Sequence, residues 1–357
     1  MENGVAGLGR TLPKDRGSCP GEILIIRGED VRSILEGREL EIADVIERTY
    51  HQHTARSGGL PRSTFLRVPG GASNRIIALP AFLEGPFRSA GIKWIASFPD
   101  NVRIGLDRAS AVLILNSLRT GRPRAVLESS IISAKRTAAS ARLAAQQFLG
   151  ASRPACAGMI GCGPINFEIA LFLIILSPNL SRFVLYDTIP ERARTFQSKL
   201  LALHGDREIS LCASAEEVLE RAPLISLATT SSTPYIGDLS RCPPGALLLH
   251  VSLRDLTPEA ILASDNVVDD IEHVCREGTS VHLTEQRVGH RNFILGTLAD
   301  ALRGVLPPRH PDRPLVFSPF GLGVLDVALG CFVEERARSA GLGTRIPDFF
   351  PRAWEAR

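Results

Sequence analysis

The spacing of apolar residues divides the chain into two parts that meet near Ser133. In the first part, short apolar stretches bounded by turn residues predict β-strands, and residues 28–50 carry apolar side chains at helical spacing. The predicted strands are Glu22–Arg27, Ser63–Val68, Arg75–Ala81, Gly91–Phe98, Ala109–Asn116 and Pro123–Leu127. A turn signal at Thr120-Gly121 joins the last two strands, so we expect a largely antiparallel α+β layer.

The second part alternates between strands and helices. It begins with an alanine-rich stretch that has no helix breaker and predicts a helix over Ser133–Leu149. The elements predicted after it are the strands Pro154–Ile160, Arg182–Tyr186, Leu224–Ala228, Ala246–Ser252 and Asn266–Val268, with helices Ile165–Leu176 and Pro190–His204 between the first three strands. This alternation is typical of an α/β fold with a parallel, doubly wound sheet. A last strand, Val316–Pro319, leads into a helix that ends near Ser339.

Composition and charge exclude several classes of protein. Of the 357 residues, 44% are hydrophobic and 22% are charged, which excludes wholesale disorder. The net charge of +3 comes from scattered basic residues, so we expect no nucleic-acid partner. Seven cysteines without a C-x-x-C pair are typical of reduced cytoplasmic thiols, and no apolar run is long enough for a membrane span. Asp269, Asp270 and His273 read as a loop-to-helix boundary, so we expect no metal site.

A glycine-rich turn follows the first strand of the predicted parallel sheet. It reads Gly161-Cys162-Gly163-Pro164-Ile165-Asn166 and leads directly into a helix. The first glycine permits a tight turn, the second lets a pyrophosphate approach the backbone, and the helix start supplies free N–H groups. Asn166 stands where the usual fingerprint has a third glycine, and an ordinary glycine turn is the alternative interpretation.

The surroundings of this turn favour a dinucleotide, and NAD in particular. Asp187 ends the next predicted strand, 26 residues after Gly161 (187 − 161). A carboxylate there accepts hydrogen bonds from a ribose 2′-hydroxyl and repels a 2′-phosphate, although Arg192 and Arg194 lie close by. Thr229-Thr230 follows the strand Leu224–Ala228 and would edge the same crevice.

Basic side chains in the first part of the chain form a candidate substrate site. Lys93 lies among apolar residues on a predicted strand, where it either reaches outward or points at an anion. Arg136, expected in the first turn of its helix, opposes the helix dipole there, which indicates either a bound anion or a solvated side chain. Arg67 and Arg75 lie on neighbouring strands, and arginine suits bidentate binding of a carboxylate. The set fits an amino-acid or oxo-acid substrate.

Asp255 comes directly after the predicted strand Ala246–Ser252. A carboxylate at that edge of the sheet can lie beside a nicotinamide ring and act as a base or activate a water molecule. The alternative is a cap for the helix that begins near Pro258.

These residues lie in stretches that resemble the ornithine cyclodeaminase/mu-crystallin family, over about Ile23 to Val333. The stretches are GIKWIAS (91–97), LNSLRTGRPRAVLE (115–128), SAKRTAAS (133–140), GCGPIN (161–166) and ATT (228–230). Further stretches are most similar to the branch that makes 2,3-diaminopropionate for siderophores and peptide antibiotics: LPRSTFLR (60–67), NRIIALPA (74–81), SLRDLTPE (252–259), NVVDDIEHVCR (266–276) and SPFGLGVLD (318–326).

The resemblance implies a homodimer of two-domain subunits. After a disordered extension, residues 1–21, it implies a substrate-binding and dimerisation domain formed by residues 22–135 plus 318–357. It implies a Rossmann NAD-binding domain over residues 136–317.

The resemblance also implies roles for single residues. Arg67, Lys93 and Arg136 would engage substrate carboxylates, and Thr137 would contact a cofactor phosphate. Asp255 would take the place of the catalytic acid or base, with Lys93 as the other candidate base.

For this branch, the implied reaction is the NAD-dependent oxidation of N-(1-amino-1-carboxy-2-ethyl)-glutamate to 2-oxoglutarate and L-2,3-diaminopropionate. Arg75 and Arg108 are candidates for its additional carboxylates. The cyclodeaminase pattern has Gly-Asp followed by Pro, whereas this chain has Arg254-Asp255-Leu256, which disfavours ornithine as the substrate. The alternatives are ornithine cyclodeaminase, a ketimine or pyrroline carboxylate reductase, and a non-catalytic ligand-binding protein of the mu-crystallin type. A PLP-dependent synthase is the expected pathway neighbour.

Overall fold

The computed structural model describes residues 21–54, 58–69, 74–150, 153–351 and 354. The extension expected over residues 1–21 therefore lies outside the described residues, apart from Gly21. The strands are β1 Ile23–Ile26, β2 Gly58–Gly59, β3 Thr64–Arg67, β4 Arg75–Leu83, β5 Ser89–Ser97, β6 Ala109–Asn116, β7 Pro123–Glu128, β8 Cys156–Ile160, β9 Arg182–Tyr186, β10 Glu208–Leu211, β11 Leu224–Leu227, β12 Leu247–His250, β13 Asp265–Val268, β14 Ile294–Thr297, β15 Leu315–Ser318 and β16 Thr344–Ile346.

The helices lie between and after these strands. They are α1 Gly28–Leu35, α2 Glu39–Thr54, α3 Ser130–Leu149, α4 Pro164–Leu176, α5 Pro190–Leu203, α6 Ala215–Arg221, α7 Pro258–Leu262, α8 Ile271–Val274, α9 Ser280–Val288, α10 Leu298–Leu302 and α11 Gly323–Ala340, with a 3₁₀ helix at Pro99–Ile104. Within the described ranges, none of them is both long and apolar enough to cross a membrane.

The first sheet contains eight strands in the order β16-β1-β7-β6-β5-β4-β2, with β3 paired to β4. Its pairings are antiparallel except between β1 and β7, so the expected antiparallel layer is present. Helix α11 packs across β4, β5 and β6. The approach is close, because a Cβ atom on Gly323 would lie 2.9 Å from the Leu79 carbonyl oxygen.

The second sheet contains eight strands in the order β10-β9-β8-β11-β12-β15-β13-β14, and all of its pairings are parallel. This confirms the predicted doubly wound α/β fold. The order reverses between β8 and β11, because β9 lies on one side of β8 and β11 on the other. Ligands of such sheets bind in the crevice that forms at this reversal, beyond the carboxyl ends of the strands.

Two helix predictions need correction. Residues 28–50 form two helices rather than one, because Gly37 has a φ of +70°, a left-handed conformation that interrupts the helix. Helix α3 begins at Ser130 rather than Ser133, because the Glu128 carboxylate accepts hydrogen bonds from the backbone N–H groups of Ser130 and Ile131.

This correction moves Arg136 to the second turn of α3. The dipole argument made for a first-turn arginine is therefore wrong, since the dipole acts mainly on the terminal turn. The proposed domain boundary at residues 135/136 also falls inside this helix. The division into domains stays an interpretation, although β15 belongs to the second sheet and β16 returns to the first.

Candidate active site

The glycine-rich turn lies at the point where the strand order of the second sheet reverses. Gly161 follows β8 and has a φ of +87°, and a Cβ atom there would lie 2.6 Å from the carbonyl oxygen of Ala228, which follows β11. A Cβ atom on Gly163 would meet no atom within 4 Å. The two glycines therefore differ, because Gly161 allows two backbone segments to pack together and Gly163 leaves space in front of the start of α4.

Asn166 stabilises this turn through hydrogen bonds of its side chain. Its side-chain amide is fully buried and donates to the carbonyl oxygens of Ile160, at 3.0 Å, and Gly161, at 2.7 Å. Its carbonyl oxygen accepts a hydrogen bond of 2.6 Å from the Ser226 hydroxyl. These contacts explain why asparagine can stand in the place of the third fingerprint glycine. They give Asn166 a structural role behind the loop.

A crevice with a volume of about 2330 Å³ opens in front of the turn. Residues 161–165 line it together with Asp187, Thr229 and Thr230, as the sequence predicts. The Asp187 carboxylate accepts hydrogen bonds from the backbone N–H groups of Cys162, at 2.8 Å, and Ile189, at 2.9 Å. Helix α3 contributes Ala134 and Lys135 to the lining, but not Thr137, which is buried. A contact between Thr137 and a phosphate stays a prediction.

Lys93 and Arg136 meet at one buried carboxylate that sequence reasoning did not identify. The Lys93 ammonium lies 2.8 Å from Asp326 Oδ2, and Arg136 Nε lies 3.2 Å from Asp326 Oδ1. Both cations also donate to the Ser133 hydroxyl, at 3.2 Å and 3.4 Å. The Arg136 guanidinium packs against Gly321, where a Cβ atom would lie 2.8 Å from Nη1. Two positive charges therefore share one negative charge in the protein interior.

The surroundings of Lys93 make it a group that exchanges protons near neutral pH. Its side chain is 2% exposed, and burial lowers its pKa from 10.5 to about 8. The charge of Arg136 adds to this lowering, and the contact with Asp326 opposes it. Of the two interpretations left open by the sequence, the outward orientation is wrong, since Lys93 points inward.

Asp255 is fully buried, and its carboxylate is held by four side chains, one of which is Tyr235. Its carboxylate accepts hydrogen bonds from the hydroxyls of Thr229 and Ser252, and Oδ2 lies 3.3 Å from His250 Nε2. Burial raises its pKa, but the contacts with His250, Ser252 and Thr229 outweigh burial and hold the pKa below the usual value. Its backbone oxygen accepts from the N–H groups of residues 235 and 236, and the helix that starts at Pro258 is capped by Thr257 instead. The capping alternative is therefore wrong.

One short segment connects the Asp255 network with the Lys93–Arg136 pair. The Ser318 hydroxyl lies 3.1 Å from His250 Nδ1, and Gly321, three residues further on, packs against Arg136. Three residues of extended chain span at most about 11 Å. The buried Asp269 fixes this segment by accepting hydrogen bonds from the backbone N–H groups of Phe320, at 2.9 Å, and Gly321, at 2.7 Å.

Arg67 and Arg75 lie at the end of the first sheet, within electrostatic range of Arg254. They are directly opposite each other on β3 and β4, and Arg67 forms an ion pair of 3.0 Å with Glu277, although 73% of its side chain is exposed. Arg254 donates to the Glu277 carbonyl oxygen at 2.7 Å. The structure thus brings Lys93 together with Arg136, and Arg67 together with Arg75.

A sequence model of the ornithine cyclodeaminase/mu-crystallin family matches residues 35–341 of this chain. The chain belongs to this family. The resemblance inferred from the sequence is therefore confirmed.

Members of the family that resemble this chain act on related compounds. The N-((2S)-2-amino-2-carboxyethyl)-L-glutamate dehydrogenase of Staphylococcus aureus is 26% identical over 91% of this chain and 98% of its own length. The Δ1-pyrroline-2-carboxylate reductase of Thermococcus litoralis, solved with NADH and L-proline, is 26% identical with a TM-score of 0.82 and covers 91% of this chain and 100% of that one. An archaeal alanine dehydrogenase dimer with bound NAD is 25% identical with a TM-score of 0.81 and covers 92% and 100%.

Sequence reasoning missed several residues of this family member's site. Asp326 is the acidic residue of the otherwise apolar stretch Gly323–Gly330, and an acid in such a helix is a signal that could have been used. His250 was not identified as a site residue from the sequence, but it is fully buried beside Asp255, at the end of the apolar strand β12. Glu277 carries no sequence signal, because its role depends on contacts with Arg67 and Arg254.

Proposed function

We propose that this chain is an NAD-dependent dehydrogenase that converts N-(1-amino-1-carboxy-2-ethyl)-glutamate, NAD and water into 2-oxoglutarate, L-2,3-diaminopropionate, NADH and a proton. The observation that carries the proposal is the pair of cations, Lys93 and Arg136, that share Asp326 and are linked to the buried Asp255 network through the segment from Ser318 to Gly321. The excess positive charge suits an acidic substrate, and the S. aureus relative carries the corresponding name.

The residues around the crevice fit NAD. Gly163 leaves space for a pyrophosphate before the N-terminus of α4, where free N–H groups attract phosphate. Asp187 lies at the end of β9 with carboxylate oxygens available to a ribose hydroxyl, and its charge disfavours a 2′-phosphate. When bound, NAD supplies an acceptor for a hydride from carbon. Two solved relatives contain NADH or NAD.

Of the two candidate bases, Lys93 and Asp255, Lys93 has the pKa that better suits proton transfer at neutral pH. Loss of hydride from the glutamyl Cα requires a neutral amine, so a base must first take a proton from the substrate ammonium. With a pKa of about 8, Lys93 is neutral in roughly a tenth of molecules at pH 7 and can accept this proton. Asp255 has a lowered pKa, so it is charged at neutral pH and is a weaker base.

Asp255 instead positions the water molecule that completes the reaction. The oxidised substrate is an imine between the former glutamyl Cα and the nitrogen. Water adds to that carbon, and the bond between carbon and nitrogen then breaks, so 2-oxoglutarate and the β-amine of diaminopropionate separate. A charged carboxylate that already accepts from Thr229 and Ser252 is oriented to accept a further hydrogen bond from water.

The remaining predicted substrate contacts stay proposals. Arg136 would hold the carboxylate next to the reacting carbon, since its charge is only partly balanced by Asp326. Arg67 and Arg75 would face the carboxylates at the other end of the substrate.

We also propose that the chain forms a homodimer through the outer face of the first sheet. Large apolar side chains are exposed on that face, and Trp94 is 44% exposed; the set is Leu66, Phe82, Trp94 and Val112. An apolar face of this kind is typical of an interface. The archaeal relative is named as a dimer.

The test is a product assay with purified protein, NAD and the synthetic substrate. We expect NADH and 2-oxoglutarate to appear in equal amounts, and Lys93→Ala to abolish turnover while the affinity for NADH is unchanged. Lys199→Ala is the matched control, because Lys199 is exposed on α5.

The competing functions would give different products in the same product assay. Ornithine converted to proline and ammonia without net NADH would show a cyclodeaminase. Consumption of NADH with a cyclic imine carboxylate would show a reductase. Nucleotide binding without any turnover across these substrates would show a ligand-binding protein, and each of these results would overturn the proposal.

A further inference from the structure

Four arginines, Arg67, Arg75, Arg108 and Arg254, lie together at one end of the first sheet. Arg67 and Arg75 face each other across β3 and β4, and residues directly opposite share one face of a sheet. Arg75 is opposite Ser97 of β5, and the Ser97 hydroxyl accepts a hydrogen bond of 3.1 Å from Arg108. Arg108 also lines the crevice in front of the glycine-rich turn.

The positive charge of these arginines is not balanced. Among the described residues, the acids that influence these arginines are Glu277 and Asp255. The Glu277 carboxylate is already paired with Arg67. Arg254 donates to the backbone carbonyl oxygen of Glu277. In the described part of the chain, Arg75 and Arg108 have no carboxylate at ion-pair distance, and Arg75 Nε is buried without a hydrogen-bond partner.

Burial and mutual repulsion both disfavour the charges of these side chains. Burial lowers the pKa of Arg75, and the charges of Arg254 and Arg67 lower it further. Burial likewise lowers the pKa of Arg108, with a further contribution from Arg75. Partly buried guanidinium groups that repel one another are costly unless a negative charge binds among them.

This group of arginines lies on the same face of the first sheet as Lys93. Residues 93, 95 and 97 of β5 lie on the same face, because side chains alternate along a strand. At about 3.3 Å per residue, the Cα atoms of Lys93 and Ser97 are about 13 Å apart, and the arginines lie beside Ser97. Long arginine side chains shorten this gap. A substrate with carboxylates at both ends can therefore reach both groups of cations.

We propose that Arg75, Arg108 and Arg254 form a second anion subsite that binds a carboxylate distant from the reacting amine, and that this subsite selects amines with several carboxylates over those with one. The inference rests on the proposed function, because it assumes that the reacting carbon lies beside Lys93. It adds Arg254 to the substrate site, at the position where the chain departs from the cyclodeaminase pattern.

The first test measures binding and does not need turnover. Glutarate and valerate, which have the same carbon chain but two and one carboxylates, are titrated calorimetrically into the complex of the enzyme with NADH. We expect glutarate to bind about 10-fold more tightly than valerate, because a charge-assisted contact is worth at least this factor. Arg75→Gln, Arg108→Gln and Arg254→Gln should each remove this preference without weakening valerate.

The matched control is Arg241→Gln, which removes an exposed arginine paired with Glu220 and should leave both affinities unchanged. Circular dichroism melting identifies any variant that does not fold. Each of the three Arg→Gln variants is expected to lose the preference for glutarate, so any variant that folds tests the proposal. Equal binding of glutarate and valerate by the unsubstituted enzyme, or equal losses for both ligands in the folded variants, would overturn the subsite.

The second test separates the subsite from the reaction. The substrate and an analogue with a carboxamide in place of the glutamyl γ-carboxylate are compared by KM. We expect the analogue to have a KM about 10-fold higher in the unsubstituted enzyme and no further increase in Arg75→Gln, because both changes remove the same contact. Selective glutarate binding without any turnover would refute the proposed function but support the subsite. Turnover with independent, additive effects of the two changes would support the function and refute the subsite.

Discussion

Replacement of Lys93 by methionine should stabilise the protein at neutral pH while it abolishes turnover. Methionine has a similar length and carries no charge, so the variant keeps the Asp326–Arg136 ion pair of 3.2 Å and removes only the second cation. The gain follows because the folded protein binds the Lys93 proton more weakly than the unfolded chain does. Activity and stability would then be in conflict at a residue of the candidate site.

The magnitude follows from the pKa of Lys93, which is 10.5 for a lysine in water and about 8 in the fold. At 1.36 kcal/mol per pH unit, this difference corresponds to about 3 kcal/mol. Because the folded pKa is lower, the unfolded state holds more protons between pH 8 and 10.5, and stability rises with pH in that window. Below pH 8 the charged Lys93 lowers the free energy of unfolding by the full amount, and above pH 10.5 this loss of stability is absent.

The assay is urea denaturation of the unsubstituted protein and of Lys93→Met at several pH values from 7 to 11. The free energy of unfolding of Lys93→Met minus that of the unsubstituted protein should fall by about 3 kcal/mol as pH rises through the window. Other groups titrate in both proteins and cancel in this difference. Loss of the hydrogen bond between Lys93 and Ser133 subtracts about 1 kcal/mol at every pH and does not alter the trend.

If this difference in stability does not change between pH 7 and 11, Lys93 titrates equally in the folded and unfolded states, and its pKa is not lowered by the fold. Lys199→Met provides the control. Its side chain is exposed, so the same substitution there should leave the pH dependence of stability unchanged.

Three further predictions concern the nucleotide crevice. Gly163→Ala should fold normally but bind NADH at least several-fold more weakly, because its methyl group enters the open space in front of α4 that the pyrophosphate would occupy. Gly161→Ala should instead lower the melting temperature, because its methyl group would meet Ala228 and the backbone there is left-handed. Fluorescence titration with NADH and thermal melting distinguish the two variants, and equal behaviour would contradict the different roles of the two glycines. Asp187→Ser should increase the ratio of kcat/KM for NADP over NAD, because a repelling charge is removed, and an unchanged ratio would remove this residue from cofactor selection. Asn166→Ala should lower the free energy of unfolding by about 1–3 kcal/mol, because buried carbonyl groups lose their donor, and stability equal to the unsubstituted protein in urea would contradict this.

The nucleotide half was predictable from the sequence because its signals are local. Strand β8, the glycine-rich turn, helix α4 and strand β9 follow one another directly, and each was predicted within two residues of its observed bounds. Apolar runs interrupted by glycine and ended by an acid specify this unit without knowledge of distant contacts. The short strands β10, β14 and β16 were not predicted, because four or fewer residues at the edge of a sheet carry little pattern.

The candidate substrate site was only partly predictable, because its residues interact across large separations in sequence. Lys93 and Arg136 were identified from their own positions, but Asp326, which joins them, is 190 residues from Arg136 along the chain. The burial of Lys93 depends on α11 packing over the first sheet, and a strand pattern does not contain that information. Arg254 was noticed only as a departure from a family pattern, since its neighbours Arg67 and Arg75 belong to the other sheet.

In the proposed reaction, the enzyme removes hydride from the glutamyl Cα of an acidic secondary amine. The most direct measurement uses the substrate with deuterium at that carbon and follows the label by mass spectrometry. We expect one deuterium in each NADH formed, equal amounts of 2-oxoglutarate without the label, and a slower reaction than with the unlabelled substrate. Deuterium retained in the organic product, or released to water while NADH carries none, would contradict it.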